Sequence, residues 1–92
     1  PLNSFRSGNS GSAVITVSEP GHNRSTGDTV RFRSVSPFDG FSSSVIESSS
    51  GYSITKVDDN RYTFSASSGT ATSGNIQGGG ENASAGPVTV SS

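Results

Sequence analysis

Apolar and polar residues alternate in four short stretches of the chain. The stretches cover residues 13–18, 29–33, 52–57 and 61–66, and their apolar side chains recur mostly at every second position. This two-residue period is typical of a β-strand that buries one face and exposes the other. We therefore predict an all-β fold, either a small antiparallel barrel or a two-sheet sandwich, with about five to seven short strands and no helix beyond a single turn.

One face of these strands is expected to form the core. Asp58-Asp59-Asn60 separates the last two stretches, and because Asp and Asn tolerate left-handed turn geometry, the pattern predicts a β-hairpin there. A weak strand at residues 71–73 and a last strand at 88–91 are predicted further along. The residues expected to point inward are Ile15, Val17, Val30, Phe32, Ile54, Val57, Tyr62, Phe64, Val88 and Val90.

The two longest connecting segments are rich in Ser and Gly. Residues 36–50 contain seven serines, and we expect them to form a loop that packs back on the sheet with one helical turn at residues 43–47. In the low-complexity segment 67–86, Ile76 is the only residue expected to be buried. Gly78-Gly79-Gly80 is predicted to be a mobile tip.

The length of 92 residues suits one small domain. Residues 1–12 are predicted to be an irregular lead-in with Phe5 as its anchor, and residues 13–92 to form a single β domain. The sequence begins with Pro1 rather than Met, which predicts a fragment or a processed product. We expect the β domain to be a segment or domain of a larger assembly.

The composition predicts a domain of marginal stability. Ser, Gly and Thr supply 42 of the 92 residues, and Leu, Ile, Val and Phe supply 18. Burial of one large apolar side chain contributes roughly 1.5–3 kcal/mol, whereas ordering the chain costs about 1.5 kcal/mol per residue. Either the rest of a longer polypeptide or identical copies in an assembly are therefore expected to complete the fold.

Charge and reactive residues argue against several classes of function. Six basic and seven acidic residues give a net charge of −1, which offers no electrostatic footprint for nucleic acid or an anionic membrane. The sequence has no apolar run of transmembrane length and no Cys. One His and seven scattered carboxylates are few groups for catalysis, so we predict no enzyme and no catalytic, cofactor-binding or metal-binding residues.

Two polar motifs are better explained by structure than by chemistry. His22 has Glu19 and Asp28 as its nearest carboxylates in sequence, and we expect its ring to form hydrogen bonds across its own loop. Gly27-Asp28 should form a turn in which the carboxylate accepts backbone N–H groups. The Asp58-Asp59-Asn60 motif lacks the loop length, the Gly and the closing Glu of a calcium site.

Three segments in order carry a resemblance to a known family. They are Gly11 to Ser18, His22-Asn23-Arg24-Ser25-Thr26-Gly27-Asp28-Thr29-Val30, and Tyr52 to Phe64. Together they resemble a small β module of bacteriophage virion proteins, especially the tail nozzle and tail-tube-associated proteins of short-tailed phages. That module has a His-Gly-Leu-Ser-x-Gly-Asp-x-Val-x-Phe motif, a Gly-Gly-Ile-like loop, a Tyr-x-Ile-x-x-Val-Asp-x-Asn-x-Tyr-Thr-Phe hairpin and a Gly-rich segment.

The resemblance covers about residues 11–80, with Asp39-Gly40-Phe41 in the place of the Gly-Gly-Ile loop. Asn23 and Arg24 stand where the family has Gly and Leu. Asn can hold a positive φ as Gly does, whereas Arg24 removes an apolar plug and should leave the loop more exposed. The family carries no catalytic residues, and the resemblance implies a virion structural protein that is assembled in the bacterial cytoplasm.

Two functions follow as alternatives. The first is a non-enzymatic structural domain of a tail-associated virion protein, which packs against other virion proteins and copies of itself or decorates the particle. The second is a receptor- or glycan-binding module at a tail or fibre tip that contacts a host surface through Phe38, Phe41 and the glycine tip.

The partner contact is predicted at Phe38, Phe41, Val45 and Ile46, because these apolar residues are concentrated in one serine-rich loop. Phe38 and Phe41 could instead cap the open end of the core. If the loop is the contact surface, Phe41→Ser should weaken assembly more than it weakens the fold.

Overall fold

The computed structural model describes residues 3–81 and 83–87 of the chain, and these residues form a two-layer β-sandwich. The elements are β1 (Phe5–Ser7), β2 (Val14–Ser18), β3 (Thr29–Arg33), α1 (Ser43–Ile46), β4 (Tyr52–Ser53), β5 (Thr55–Asp58), β6 (Arg61–Ser65), β7 (Gln77–Gly78) and β8 (Ser84–Pro87). A five-stranded antiparallel sheet has the strand order β5-β6-β2-β1-β7, and a three-stranded antiparallel sheet has the order β4-β3-β8. The all-β prediction is confirmed in its sandwich form, with a single helical turn.

The core lies between the two sheets and is dominated by aromatic rings. Strands β2, β3 and β6 share the pattern of exposed ends, buried second and fourth residues and a half-buried centre, as their alternating sequences predict. The Phe64 ring lies 4.9 Å from Phe32 and 4.5 Å from Tyr52 between ring centroids. The inward predictions that are confirmed are Ile15, Val17, Val30, Phe32, Ile54, Tyr62 and Phe64; Val88, Val90 and the strand at 88–91 lie outside the described residues.

The lead-in prediction is wrong for residues 5–7. They form β1, which pairs with β2 on one side and with β7 on the other, so the first strand of the chain lies inside the five-stranded sheet. Phe5 and Ser7 are buried, while Arg6 between them is exposed. A strand this short, with one large apolar side chain, has too little pattern to be recognised in the sequence.

The first arm of the predicted hairpin at 52–66 is divided into two strands, β4 and β5, which belong to different sheets. Tyr52–Ser53 pairs with β3 in the small sheet, and Thr55–Asp58 pairs with β6 in the large sheet, so the chain changes sheets at the buried Ile54. The prediction that Val57 points inward is wrong. The register of the β5–β6 pairing shifts between Lys56 and Asp58, and Val57, which lies at this shift, has about half of its surface exposed.

The segment from residue 67 to 81 contains little regular secondary structure and is held by backbone hydrogen bonds and packing against other parts of the chain. No strand forms at residues 71–73, although Ala71 is buried and exchanges backbone hydrogen bonds with Gly11 and Ser12. The prediction that Ile76 is the only buried residue of segment 67–86 is wrong, because Ile76 is 40% exposed whereas Ala71 and Ala83 are buried. The mobile-tip prediction is also wrong, because Gly78 belongs to β7 and is packed against Phe38.

Candidate functional site

The predicted contact residues lie in the loop between β3 and β4, and three of the four are in the core of the sandwich. Phe41 and Ile46 are fully buried and Phe38 nearly so, while Val45 is partly buried against the same cluster. The Phe38 ring stacks on Phe5 at 6.2 Å between ring centroids. The loop therefore caps the core of its own chain, which leaves these side chains little surface for a partner.

This burial reverses the expected order of effects for Phe41→Ser. Phe41 is 1% exposed, so its loss would open a cavity in the core and place a hydroxyl there. The substitution is therefore expected to act on the fold first. Contact of the loop with a partner stays a prediction.

A tight turn at Asp39 and Gly40 holds this loop in place. Phe38 and Phe41 exchange both backbone hydrogen bonds, at 3.1 and 2.8 Å, and the two residues between them have φ of 45° and 91°. Positive φ at both central residues is what a two-residue type I′ hairpin requires, and Asp-Gly is a preferred pair for it. The Asp-Gly signal was present in the sequence and predicts this turn.

The Asp39 carboxylate joins three distant parts of the chain. It accepts hydrogen bonds from Ser7 Oγ at 2.6 Å, from the Ser73 backbone N–H at 2.7 Å and from the Gly74 N–H at 3.0 Å. The Ser7 hydroxyl and then the backbone N–H groups hold the pKa of Asp39 below its ordinary value, because each of these bonds favours the charged form. Asp39 is thus a structural link between β1, its own loop and residues 73–74.

His22 forms hydrogen bonds with both ring nitrogens. Nδ1 accepts the Arg24 backbone N–H at 2.8 Å, which places the ring proton on Nε2, 2.7 Å from the Asp58 carbonyl oxygen. The ring is buried and meets Tyr62 edge-to-face at 5.1 Å between centroids. Both nitrogens are occupied by backbone groups, as expected for a ring that fixes its own loop.

Beside His22, the Glu19 carboxylate accepts hydrogen bonds from Arg24 and Tyr62. Arg24 donates Nε and Nη2 to the two carboxylate oxygens at 3.1 Å each, and the Tyr62 hydroxyl donates to Oε1 at 2.6 Å. Burial, and then the bond to Glu19, raise the pKa of Tyr62 above its ordinary value, while the same carboxylate raises that of Arg24. The Arg24 side chain is 15% exposed and paired, while Asn23 and residues 25–28 of the same loop are exposed. That this loop is more exposed than in the family stays a prediction.

Two turns predicted from polar residues are present. The Asp28 carboxylate accepts the Ser25 N–H at 2.8 Å after Gly27, whose φ is 95°. Asp58 accepts the Asn60 N–H at 2.8 Å at the corner between β5 and β6. Asn23 has a φ of 54°, as its place in the motif predicts.

An apolar cleft opens where the two sheets separate. It has a volume of about 210 Å³ and lies between the ends of β1 and β2 on one side and β3 and β8 on the other. Its lining includes Phe5, Val17, Glu19, Phe32, Ala83 and Ala85.

A second cleft lies on the outward face of the five-stranded sheet, and we call it the outer cleft. It has a volume of about 240 Å³, and its lining includes Asn3, Arg6, Thr16, Ser18, Arg61 and Gln77. Sequence reasoning missed this group because its members come from four separate strands and the start of the chain. Only the strand pairing brings them together.

Among residues 3–81 and 83–87, no three His, Asp or Glu side chains are grouped as a metal site would need. No helix in this described part of the chain is long and apolar enough to cross a membrane. Comparisons with protein-family models, with curated proteins and with solved structures found no match to the chain.

Proposed function

We propose that the chain is a non-enzymatic structural domain of a bacteriophage virion protein, associated with the tail, and that it packs against neighbouring subunits or decorates the particle. Its partners are other virion proteins and copies of itself, and its location is the extracellular particle after assembly in the bacterial cytoplasm.

The observation that supports the proposal most is that the residues of the family resemblance have structural contacts. His22 bridges the backbone of its own loop to the β5–β6 corner, and Asp28 closes a turn. Tyr62 and Phe64 are inside the sandwich. A motif whose members fix turns and fill a core is what a structural module requires, and none of these residues is left over for chemistry.

The non-enzymatic part of the proposal is supported by the state of the polar groups. Both nitrogens of His22 are hydrogen-bonded to backbone groups, so the ring has no nitrogen left for proton transfer to a substrate. The Glu19 carboxylate is shared between Arg24 and Tyr62.

The rival function, a receptor- or glycan-binding module that uses Phe38, Phe41 and the glycine tip, loses its supporting surface. Both rings are inside the core, and Gly78 and Gly79 are packed against Phe38 and Phe5. A binding module would present such rings to solvent beside polar groups.

The proposal is tested on phage particles produced by bacterial cells that carry the gene for the chain. Particles are purified by density gradient and analysed by mass spectrometry, and a bacterial cytosolic enzyme serves as the control for contamination. We expect peptides from residues 3–81 to band with the particles in a fixed ratio to the other tail proteins, and gold-labelled antibody to mark the tail. Recovery of the peptides only in the cytosolic fraction, together with the control enzyme, would reject the proposal.

A further inference from the structure

The outer cleft combines two arginines with a row of hydroxyl and amide side chains. Across the sheet, Gln77 is the register partner of Arg6, and Arg6 is the partner of Thr16. Two residues further along β2, Ser18 is the partner of Arg61. Because neighbouring strands are about 4.8 Å apart, Arg6 and Arg61 flank the Thr16 and Ser18 hydroxyls from opposite sides.

The sheet that carries the cleft is basic although the chain as a whole is slightly acidic. Its five strands contain Arg6, Lys56 and Arg61 but only one carboxylate, Asp58. The net charge of the whole chain is −1. An anion on this face meets two guanidinium groups, of which Arg61 is already paired with Asp58 at 2.7 Å.

Some hydrogen-bonding groups of the outer cleft are held in place by bonds within the chain, and others have no bond to a described residue. Arg61 donates Nε and Nη2 to Asp58 Oδ2, at 3.0 and 2.7 Å, which holds the guanidinium while Nη1 bonds to no described residue. Gln77 Nε2 donates to the Asn3 carbonyl at 3.0 Å, which fixes the amide beside the cleft. The Arg6 guanidinium is exposed and has no ion pair within the described part of the chain.

We propose that the outer cleft binds the acidic sugar residue of a saccharide. The carboxylate of a hexuronate pairs with the Arg6 guanidinium and with the donors of Arg61 that Asp58 leaves unused. The sugar hydroxyls exchange hydrogen bonds with Thr16, Ser18 and the Gln77 amide, which can both donate and accept. The inference does not depend on the proposed virion role, and either can fail alone.

Size and chemistry favour a sugar acid over other anions. A volume of about 240 Å³ is below the range of roughly 300–1,000 Å³ typical of drug-sized ligands, and it suits one pyranose ring. Phosphate and simple carboxylates would engage the arginines but leave the adjacent hydroxyl and amide groups without partners. A ligand with one carboxylate and several hydroxyls can pair with the arginines of the cleft and also with its hydroxyl and amide groups.

The test is a titration of the isotope-labelled 92-residue chain with methyl β-glucuronide, followed by amide NMR shifts. Methyl β-glucoside, which lacks only the charge, and acetate and phosphate, which lack the ring, are the comparison ligands. We expect saturable shifts centred on Arg6, Thr16 and Gln77 and an affinity at least tenfold higher for the glucuronide than for any comparison ligand. No saturable shifts, or equal affinity for acetate or phosphate, would overturn the proposal.

Three variants separate the cleft from general charge effects. Arg6→Gln should weaken glucuronide binding at least tenfold, and Thr16→Val, which replaces a hydroxyl with a methyl group, should weaken the glucuronide but not acetate. Arg33→Gln removes an exposed arginine from the other sheet and is the matched control. Equal loss of binding in Arg33→Gln and Arg6→Gln, in variants whose spectra show the native fold, would contradict the assignment.

Discussion

At the scale of single residues, Phe41 shows how far the core depends on the loop between β3 and β4. Its ring is 1% exposed, so Phe41→Ala should lower the free energy of unfolding by about 3–5 kcal/mol. The measurement is urea denaturation of the isolated chain. Val57→Ala, at a residue with 52% of its surface exposed, is the control and should change it by less than about 0.5 kcal/mol. A similar small effect of both variants would place Phe41 outside the core.

Asp39 gives the fold a dependence on pH with a definite sign. The Ser7 hydroxyl and two backbone N–H groups lower the pKa of Asp39 in the folded chain, so these bonds stabilise the fold fully above the unfolded pKa, near about 3.9. The contribution is lost as the pH falls through the lower, folded pKa. We therefore expect the urea concentration at the unfolding midpoint of the unsubstituted chain to decrease as the pH is lowered from 7 to 2.

Asp39→Asn isolates this contribution, because Asn tolerates the same positive φ but presents an N–H₂ group where one carboxylate oxygen accepted. The variant should be less stable at pH 7 and lose less stability on acidification. Asp59→Asn removes a carboxylate that is 90% exposed and should keep the native pH profile. An Asp39→Asn profile parallel to the native one would contradict the role of this carboxylate.

At the scale of elements, β7 and β8 offer two glycines in opposite surroundings. An added Cβ at Gly78 would lie 2.5 Å from Phe38 Cβ, whereas at Gly86 it would meet nothing within 4 Å. Gly78→Ala should therefore destabilise the fold by about 1–3 kcal/mol. Gly86→Ala should be neutral or stabilise it by up to about 1 kcal/mol, since it restricts the unfolded chain. Equal thermal melting of the two variants would show that β7 is not packed against the loop.

The elements also show which parts of the fold the sequence could predict. Strands β2, β3 and β6 were predictable because five-residue alternation with β-branched and aromatic residues is a strong local signal. Strands β1 and β7 were not, because they have three and two residues and are defined by their partners. The Val57 prediction was wrong for a different reason. Val57 lies three positions after Ile54, and a two-residue period places such residues on opposite faces of a strand. The register shift between Lys56 and Asp58 does not bring Val57 back to the core face.

The candidate sites were less predictable than the strands. Apolar residues in the serine-rich loop indicated a buried surface, but composition cannot tell whether the same chain or a partner buries it, and Phe41 and Ile46 are buried by their own chain. The roles of His22 and Asp28 followed from local turn chemistry. Arg6 and Arg61 are 55 positions apart in the sequence, and only the pairing of β1, β2 and β6 brings them to one face.

At the scale of the whole molecule, loops that pack against the small core add to the contacts between the two sheets. The turn at Asp39, the glycines of β7 and the paired Arg24 each bring a polar or bare segment against the sandwich without leaving its groups unpaired. A chain rich in Ser and Gly can thereby enclose an aromatic core between sheets of unequal size. The apolar cleft between β1 and β8 is where this enclosure remains open.

The position of β1 has a consequence for how the protein is made. A ribosome adds Phe5 before its register partner on one side, Gly78, which follows several seconds later at roughly 5–20 residues per second. Until then the nascent chain can pair β1 with β2 but not with β7, so the five-stranded sheet stays incomplete while the residues between Phe5 and Gly78 are added. Copies emerging side by side on one messenger RNA would meet at this stage, each with an open strand edge that its own unfinished sequence cannot yet cover.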